Sequence, residues 1–320
     1  MKPIVLVLAP MLLLVLAVSG CTIPGTDITI PIPGLGGGTT DYTHDIIIIK
    51  SMQAVPATTI KAGQTLTLYA DLQNMQDPER AAGSQVEDIE IELYDYCTNL
   101  FTGEPKPNED CSKKFDMSPQ EIKTCSWELT PREDLMLITP CELKVKVTYE
   151  HSTKTVTSIT FIDSDELGGR IRRGEPWQIG GSTTRGYGPV KTYLEVETQQ
   201  PVPDADSGEG ASASISMKIR NVGQGYIKDS AIIADDDHFS IKLPDELDWK
   251  DNEKCMFETQ KIKIDGSDTD VIKIIRKEST PKFCKIGSPY VEIEQTYDMN
   301  AEVTYDYEFR KNIRIQIEPR

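Results

Sequence analysis

The chain has 320 residues, with 34 Lys and Arg against 51 Asp and Glu, a formal net charge of −17 and 38% hydrophobic residues. An acidic surface of this kind repels nucleic acid and anionic lipid headgroups, so the composition argues against a nucleic-acid-binding protein. The residues beyond the N-terminal segment are numerous enough for two domains of ordinary size. We therefore expect globular domains with acidic, solvated surfaces.

The N-terminal segment is typical of a secretory signal. Lys2 precedes the apolar run Ile4 to Val18, and Ser19 and Gly20 stand before Cys21. This ending resembles the lipobox of prokaryotic lipoproteins, which implies that residues 1–20 are a signal peptide and that Cys21 becomes the lipid-modified N-terminus. An uncleaved anchor is the alternative, but the run is shorter than the roughly 20 apolar residues that cross a bilayer. Either interpretation predicts an extracytoplasmic protein attached to the cell membrane.

Two segments rich in glycine divide the rest of the chain. Residues 21–42 are also rich in Thr and Pro and are predicted to be a tether, and residues 166–189 are predicted to be a linker. The predicted domains are therefore 43–165 and 190–320.

The linker also carries one aromatic and three basic side chains, Trp177, Arg170, Arg172 and Arg173. A tryptophan in such a segment either docks on a neighbouring domain or forms part of a binding surface. The arginines have the same two interpretations, docking on an acidic domain surface or binding an anionic ligand.

Apolar residues recur with a period of two in both domains, which predicts half-buried strands and no amphipathic helix. Leu66 to Asn74 and Ala213 to Asn221 are similar alternating segments, and each ends in an asparagine suited to a turn. The two domains are thus interpreted as divergent copies of one all-β module.

Six cysteines remain after Cys21, and an even number in a secreted chain indicates disulfide bonds. Zinc is the competing interpretation, but the chain has no CxxC pair and only three histidines. Aligning Cys125-Ser126-Trp127 with Cys255-Met256-Phe257 predicts the pairs Cys125–Cys141 and Cys255–Cys284, which leaves Cys97 to pair with Cys111. A pairing of Cys97 with Cys141 is the alternative.

The turn Asn221-Val222-Gly223-Gln224-Gly225 follows an alternating strand. Here the chain resembles the adhesion-related repeats of bacterial and archaeal surface proteins known as CARDB domains. The resemblance covers about fifteen residues and implies tandem immunoglobulin-like β-sandwich domains at the cell surface. We interpret the glycines as positions that need positive φ.

Motifs for catalysis are missing from the sequence: it has no GxSxG, HExxH, P-loop or dinucleotide fingerprint. Its histidines are His44, His151 and His238, which lie far apart, and we place His151 at a hairpin tip. We therefore predict no enzymatic activity, no catalytic residue and no cofactor.

Three acidic segments are weak calcium candidates, 204–209, 235–237 and 265–270, because alternating acidic side chains in a turn can supply several oxygen ligands. Asp265, Asp268 and Asp270 are the preferred set. An ordinary solvated turn is the alternative for each segment.

The sequence thus predicts a non-catalytic cell-surface lipoprotein that acts in adhesion, scaffolding or recognition, with an envelope protein or surface glycan as partner. The alternative is a module that captures a glycan or peptide substrate or assists an enzyme. A third interpretation is a secreted hydrolase of unrecognised type. Exposed aromatic side chains clustered on one sheet face would favour substrate capture, and a bare acidic face would favour scaffolding.

Overall fold

Strands form most of the structure, a computed structural model that describes residues 45–79, 85–175, 183–197, 212–250, 255–264, 267–287 and 291–320. The predicted signal peptide, tether and Cys21 lie outside these residues, as do His44 and Trp177. Residues Asp41–Arg320 form one compact unit. No helix in the described part of the chain has the length and apolar character needed to cross a membrane.

The strands of the described residues, in chain order, are β1 (Ile47–Val55), β2 (Thr59–Lys61), β3 (Leu66–Asn74), β4 (Val86–Asp95), β5 (Phe115–Met117), β6 (Ile122–Leu129), β7 (Thr139–Ile162), β8 (Thr183–Arg185), β9 (Val190–Val196), β10 (Ser212–Asn221), β11 (Tyr226–Ile227), β12 (Ala231–Ile233), β13 (Phe239–Lys242), β14 (Asp248–Trp249), β15 (Gln260–Ile264), β16 (Ser267–Lys273), β17 (Lys282–Gly287) and β18 (Glu294–Glu318). Within the described residues the helical elements are one α-helix, α1 (Ser164–Arg173), and 3-10 turns at Thr98–Leu100, Glu109–Cys111 and Lys228–Ser230.

The strands combine into four sheets. Three smaller sheets have the orders β1-β3-β6, β14-β17-β10-β9 and β12-β16-β15. The largest has the order β11-β18-β7-β4-β5, and β2, β8 and β13 also pair with its two long central strands. The all-β class predicted from the period-two pattern is confirmed.

Strands β7 and β18 form an antiparallel ribbon that runs through both halves of the chain. All 24 residues of β7 pair with β18, from Thr139 opposite Ile317 to Ile162 opposite Glu294. At about 3.4 Å per residue the ribbon is about 80 Å long. Pairing continues through His151, which lies opposite Tyr305, so the predicted hairpin tip at His151 is wrong.

The buried side chains follow the alternation seen in the sequence. Leu143, Val145 and Val147 on β7 are fully buried, as are Ile215, Met217 and Ile219 on β10. They belong to two groups of packed apolar residues, a larger one beneath the first half of the ribbon and a smaller one around Phe161, Ile215 and Met299. Burial of these alternating positions fixes the register, because a one-residue slip would expose them.

An α-helix occupies the first part of the predicted linker, where the sequence predicted none. The carboxylate of Asp163 caps α1 by accepting hydrogen bonds from the amides of Asp165 and Glu166 at 2.9 and 3.1 Å. Gly174 ends the helix with φ of 67°. The helix was missed because only Leu167 along it is buried, so it has no apolar stripe to detect.

The disulfides are Cys97–Cys141, Cys111–Cys125 and Cys255–Cys284, with Cα–Cα distances of 6.0, 5.8 and 5.9 Å. The prediction for Cys255–Cys284 is confirmed, but the other two predicted pairs are wrong. The reason is strand pairing: Asp95 on β4 lies opposite Lys144 on β7, which brings Cys97 to the start of β7. The internal alignment failed because Cys125 is inside a strand, whereas Cys255 lies outside any strand.

Candidate binding surface

The preferred calcium residues do not form a described metal site. Asp268 and Asp270 lie on β16, not in a loop, and Asp265 is outside the described residues. Across the strand pair, Asp268 lies opposite Lys263 and Asp270 opposite Lys261. This alternation of lysine and aspartate places opposite charges together on neighbouring strands, which explains the acidic residues without a metal. Among the described residues, no group of three or more acidic, histidine or cysteine side chains could hold a metal ion.

The second acidic candidate, residues 235–237, is a capped turn. Asp235 accepts hydrogen bonds from the amides of Asp237 and His238 at 3.2 and 2.9 Å. The ring Nδ1 of His238 also lies 2.6 Å from Asp235 Oδ1, so this oxygen makes three contacts within its own turn. The third candidate, residues 204–209, is outside the described residues.

Arg170 and Arg173, two of the three basic side chains of the predicted linker, form ion pairs on and beside α1. Arg170 contacts Glu166 and Glu294, each at 2.8 Å. Arg173 contacts Glu175 at 2.8 Å. The contact with Glu294 reaches β18, so docking on acidic residues describes Arg170 better than anion binding does.

The outward side of β11, β18, β7 and β4 forms a surface that crosses four neighbouring strands. Tyr226, Glu308, Thr148 and Glu90 lie side by side across these four strands. In the next outward-facing row, Arg310 lies opposite Lys146, and Lys146 opposite Glu92. We call this side of the sheet the ribbon face.

Two exposed tyrosines flank an arginine on the ribbon face. The guanidinium of Arg310 lies 5.7 Å from the ring centre of Tyr94 and 5.3 Å from that of Tyr226, within cation–π range. Tyr94 is 38% exposed and Tyr226 is 55% exposed. Arg310 Nε also donates a hydrogen bond to the buried carboxylate of Glu308 at 3.1 Å, which fixes the guanidinium between the rings. We call Tyr94, Arg310 and Tyr226 the aromatic cluster.

Two shallow depressions lie along the ribbon face. One, of about 390 Å³, is lined by the aromatic cluster together with Lys144 and Asn312. The charged residues lining the other, of about 400 Å³, are five acidic residues and two lysines: Glu87, Asp88, Glu90, Glu150, Asp306, Lys114 and Lys228. The surface thus changes from aromatic and basic to acidic along the ribbon.

Ion pairs balance most of the cations on this face. Lys146 contacts Glu92 at 2.9 Å, and Lys144 contacts Asp95 at 2.9 Å. Lys228 contacts Asp306 at 3.4 Å. Exposed ion pairs of this kind contribute little to stability, so their main effect is on the distribution of charge over the ribbon face.

A buried hydrogen-bond network holds Tyr226 and β11 in position. The carboxylate of Asp45 accepts hydrogen bonds from the amide of Gln224 at 3.0 Å and from the hydroxyl of Tyr307 at 2.6 Å. Asn221 Oδ1 accepts from the amide of Gly223, and its Nδ2 donates to the carbonyl of Gly225, both at 3.0 Å. The turn is therefore fastened to β18 from inside, directly before Tyr226.

The glycines of this turn are required for space, not for positive φ. A Cβ at Gly223 would lie 2.2 Å from Asp45 Oδ1, and one at Gly225 would lie 2.4 Å from the carbonyl oxygen of Glu308. Neither glycine is among the residues with positive φ, so that part of the sequence interpretation is wrong. The two glycines still mark a structural requirement, because a backbone position that lies close to a neighbouring atom also requires glycine.

Burial shifts the pKa values of the residues below the face. Burial, followed by the nearby carboxylate of Asp45, raises the pKa of Tyr307 far above its usual range. His151 Nε2 lies 3.1 Å from the carbonyl oxygen of Tyr187, and burial lowers the pKa of the imidazole to about 4. His151 is therefore neutral at pH 7, with Nε2–H donating to Tyr187.

Sequence reasoning missed the aromatic cluster, because its members come from three distant strands. Tyr94 belongs to β4, Tyr226 to β11 and Arg310 to β18. In each case the signal was a large side chain on the polar side of an alternating strand. No model of a known protein family matches the chain, and no curated protein matches it either.

Proposed function

We propose that the chain is a non-catalytic, lipid-anchored cell-surface protein that recognises another envelope component through its ribbon face. Cys21 would carry the anchor, and residues 21–42 would separate the folded unit from the membrane. The presence of three disulfides supports an extracytoplasmic compartment, where such bonds persist. The single observation that carries the choice of surface is the aromatic cluster.

Tyrosine and arginine are the residue types that most often supply binding energy at protein interfaces. Both tyrosines expose part of their rings, while Arg310 is already ordered between them and anchored to Glu308. A partner therefore meets side chains that lose little conformational freedom on binding. The sheet beneath them is held in register by the paired residues of β7 and β18.

The tyrosines also favour the second candidate, capture of a glycan strand. Aromatic rings on a flat sheet offer apolar faces, and the neighbouring Lys144 and Asn312 offer hydrogen-bond donors. An extended ligand could follow the ribbon from the aromatic depression towards the acidic one. Both candidates use the same residues and differ in the chemistry of the ligand.

Chemical crosslinking on intact cells, followed by mass spectrometry, tests the proposal. We would compare the natural chain with Tyr94→Ala and Tyr226→Ala, each expected to reduce crosslinking to the dominant partner about tenfold. Tyr69→Ala is the matched control, because Tyr69 is also exposed but lies on β3, outside the ribbon face. Cys21→Ser tests whether the partner depends on anchoring.

Loss of one dominant protein partner in both tyrosine variants, with Tyr69→Ala unchanged, is the expected result. A glycan binding assay with purified envelope polysaccharide would distinguish the second candidate by the same variants. If neither assay responds to the tyrosines, the ribbon face is not the recognition surface.

A further inference from the structure

The last four residues of the predicted linker, 186–189, pass over β7 at a gap in the large sheet, and we call them the strap. On the side away from β18, the described part of β7 pairs with β4 up to Thr148 and with β8 from Thr155 onward. The strap leaves β8 at this gap and leads into β9, whose Thr192 carbonyl accepts a hydrogen bond from the buried hydroxyl of Thr155 at 3.1 Å. It therefore connects the large sheet to the layer packed beneath the ribbon.

The strap lies directly against His151, at the middle of the gap. His151 Nε2 donates to the carbonyl oxygen of Tyr187 at 3.1 Å. A Cβ at Gly188 would lie 3.1 Å from Cδ2 of the imidazole and 2.9 Å from the hydroxyl of Tyr305. Such a close approach requires glycine, so the backbone of the strap and the imidazole are packed against each other without a gap.

The strap also holds parts of both halves of the chain. The hydroxyl of Tyr187 donates to the carbonyl of Met75, just after β3, at 2.8 Å. The carbonyl of Pro189 accepts hydrogen bonds from the amides of residues 222 and 223, at 2.7 and 3.2 Å. These two amides belong to the turn that precedes Tyr226 of the aromatic cluster. Displacement of the strap would therefore remove contacts from the end of β3 and from this turn.

The groups that face the imidazole from the elements packed against it are neutral or cationic. Tyr305 of β18 packs edge-on against the ring, with ring centres 6.1 Å apart. Burial and, to a smaller extent, the ammonium of Lys191 on β9 lower the pKa of His151 to about 4, although the carbonyl of Tyr187 acts in the opposite direction. A second proton on the imidazole would thus create a buried charge beside another cation.

The carboxylates of the surrounding elements are directed elsewhere. Glu150 and Asp306 stand next to the imidazole along β7 and β18, but both are exposed on the opposite face of the ribbon. The charges of Asp45 and Asp77 act on the side chain of Tyr187. Within the described residues, none of these four carboxylates hydrogen-bonds the imidazole. The closed strap therefore offers no counterion for a protonated ring.

We propose that residues 186–189 form an acid-sensitive strap, which separates from the ribbon when His151 takes up a proton. Because Nε2 already donates to Tyr187, the incoming proton binds Nδ1 and leaves the ring charged. Water solvates this charge once the strap is open, and the closed arrangement cannot. Opening also withdraws the Pro189 carbonyl from the turn before Tyr226, so acid loosens the support of the aromatic cluster.

Hydrogen exchange of the intact chain at pH 7.5 and pH 4.5, read by mass spectrometry and corrected for the intrinsic effect of pH, tests the strap. The informative amides are those of residues 186, 190, 222 and 223, which are bonded to the ribbon or to Pro189. With a pKa of about 4 when closed and about 6.5 when open, the open fraction should rise by about seventyfold. Protection of these amides should fall by the same factor, while the interior of the ribbon stays protected.

Three variants separate the strap from other acid effects. His151→Gln keeps a donor to Tyr187 but does not titrate, so it should lose the response. His238→Gln is the matched control and should keep it, because the ring of His238 contacts Asp235 and not the strap. Tyr187→Phe removes the bond to Met75 and should lower protection at both pH values, with the response to pH retained.

Equal protection at the two pH values in the natural chain, or an unchanged response in His151→Gln, would overturn the proposal. Loss of protection throughout the ribbon at the same time would also overturn it, because the whole unit would then be unfolding. The exchange experiment needs no partner. Its outcome is therefore independent of the crosslinking test of the ribbon face, and failure of either leaves the other result intact.

Discussion

The two halves of the molecule are fastened to the shared ribbon in different ways. In the first half, a disulfide joins the turn after β4 to the start of β7 through Cys97 and Cys141. In the second half, the hydroxyl of Tyr307 on β18 donates hydrogen bonds to Asp45 and Asn221, which fasten the turn after β10. The second half has a disulfide as well, but it joins β17 to the segment before β15 and does not involve the ribbon. The comparison shows that similar strand patterns can be fixed by a covalent bond or by a buried polar network.

The largest expected effect on the free energy of unfolding comes from removing the disulfide that fastens the first half to the ribbon. Cys97→Ser with Cys141→Ser opens a loop of sequence separation 44 and should lower the free energy of unfolding by about 4 kcal/mol in the chain-entropy model. Cys111→Ser with Cys125→Ser, of separation 14, should cost about 3 kcal/mol. Urea unfolding of both double variants under non-reducing conditions measures the difference. A smaller loss for the longer loop would contradict the model for this half.

The next effect concerns His151, at the centre of the ribbon where the halves meet. Its pKa is about 4 in the folded protein, against about 6.5 when unfolded, so between these values the unfolded state binds the extra proton. Titration of His151 therefore hardly changes the free energy of unfolding above about pH 6.5, and it lowers this free energy increasingly as the pH falls towards 4. From about pH 7.5 to pH 4.5 the free energy of unfolding should fall by about 2.5 kcal/mol from this group.

The control for this prediction is His151→Gln, which can keep a donor to the Tyr187 carbonyl but does not titrate. Urea unfolding of both proteins at the two pH values separates His151 from the many carboxylates. An equal loss in both proteins would show that His151 is not the acid-sensitive group at the junction.

The polar fastening is tested by Asn221→Ala and Asn74→Ala. Each asparagine is buried at the end of its strand, and each accepts a hydrogen bond from the amide two residues later. We expect each change to cost about 2 kcal/mol, because buried backbone groups lose their partners. Similar losses are expected, because Asn221 also bonds Gly225 and Tyr307, and Asn74 also bonds Gln76 and Met117. Urea unfolding measures both, and no measurable loss for either variant would show that its asparagine does not fasten the turn.

The smallest effect is expected for Arg310→Gln on the ribbon face. Arg310 is exposed, and Gln still offers an N–H donor for the buried carboxylate of Glu308, so loss of the ring contacts and of the charge should cost about 1 kcal/mol. Thermal unfolding checks this, and Arg314→Gln on the same strand is the control. A large loss would mean that the aromatic cluster is a structural support of the second half, not a binding surface.

Local patterns in the sequence predicted the strands well, but they did not predict which strands meet. The alternation of Leu66 to Asn74 and of Ala213 to Asn221 gives β3 and β10 almost to the residue, because burial of every second side chain is a local property. The pairing of β4 with β7 depends on residues fifty positions apart, and without it Cys97 could not be assigned to Cys141.

The length of the ribbon could not be predicted from local sequence patterns. Strands are usually five or six residues long, so the polar residues around His151 were interpreted as a turn. The division of the sequence into domains 43–165 and 190–320 stays a prediction. A flexible connection between them is not what the fold provides, because all 24 residues of β7, in the first predicted domain, pair with β18, in the second.

The position of Asp45 has a mechanical consequence. The described chain begins at Asp45, whose carboxylate contacts Tyr307 near the middle of the sheet, and Arg310 lies three residues further along on the opposite side. A pull on the chain ahead of Asp45 therefore loads this one side-chain contact and the pairing of β1 with β3 before it reaches the rest of the ribbon.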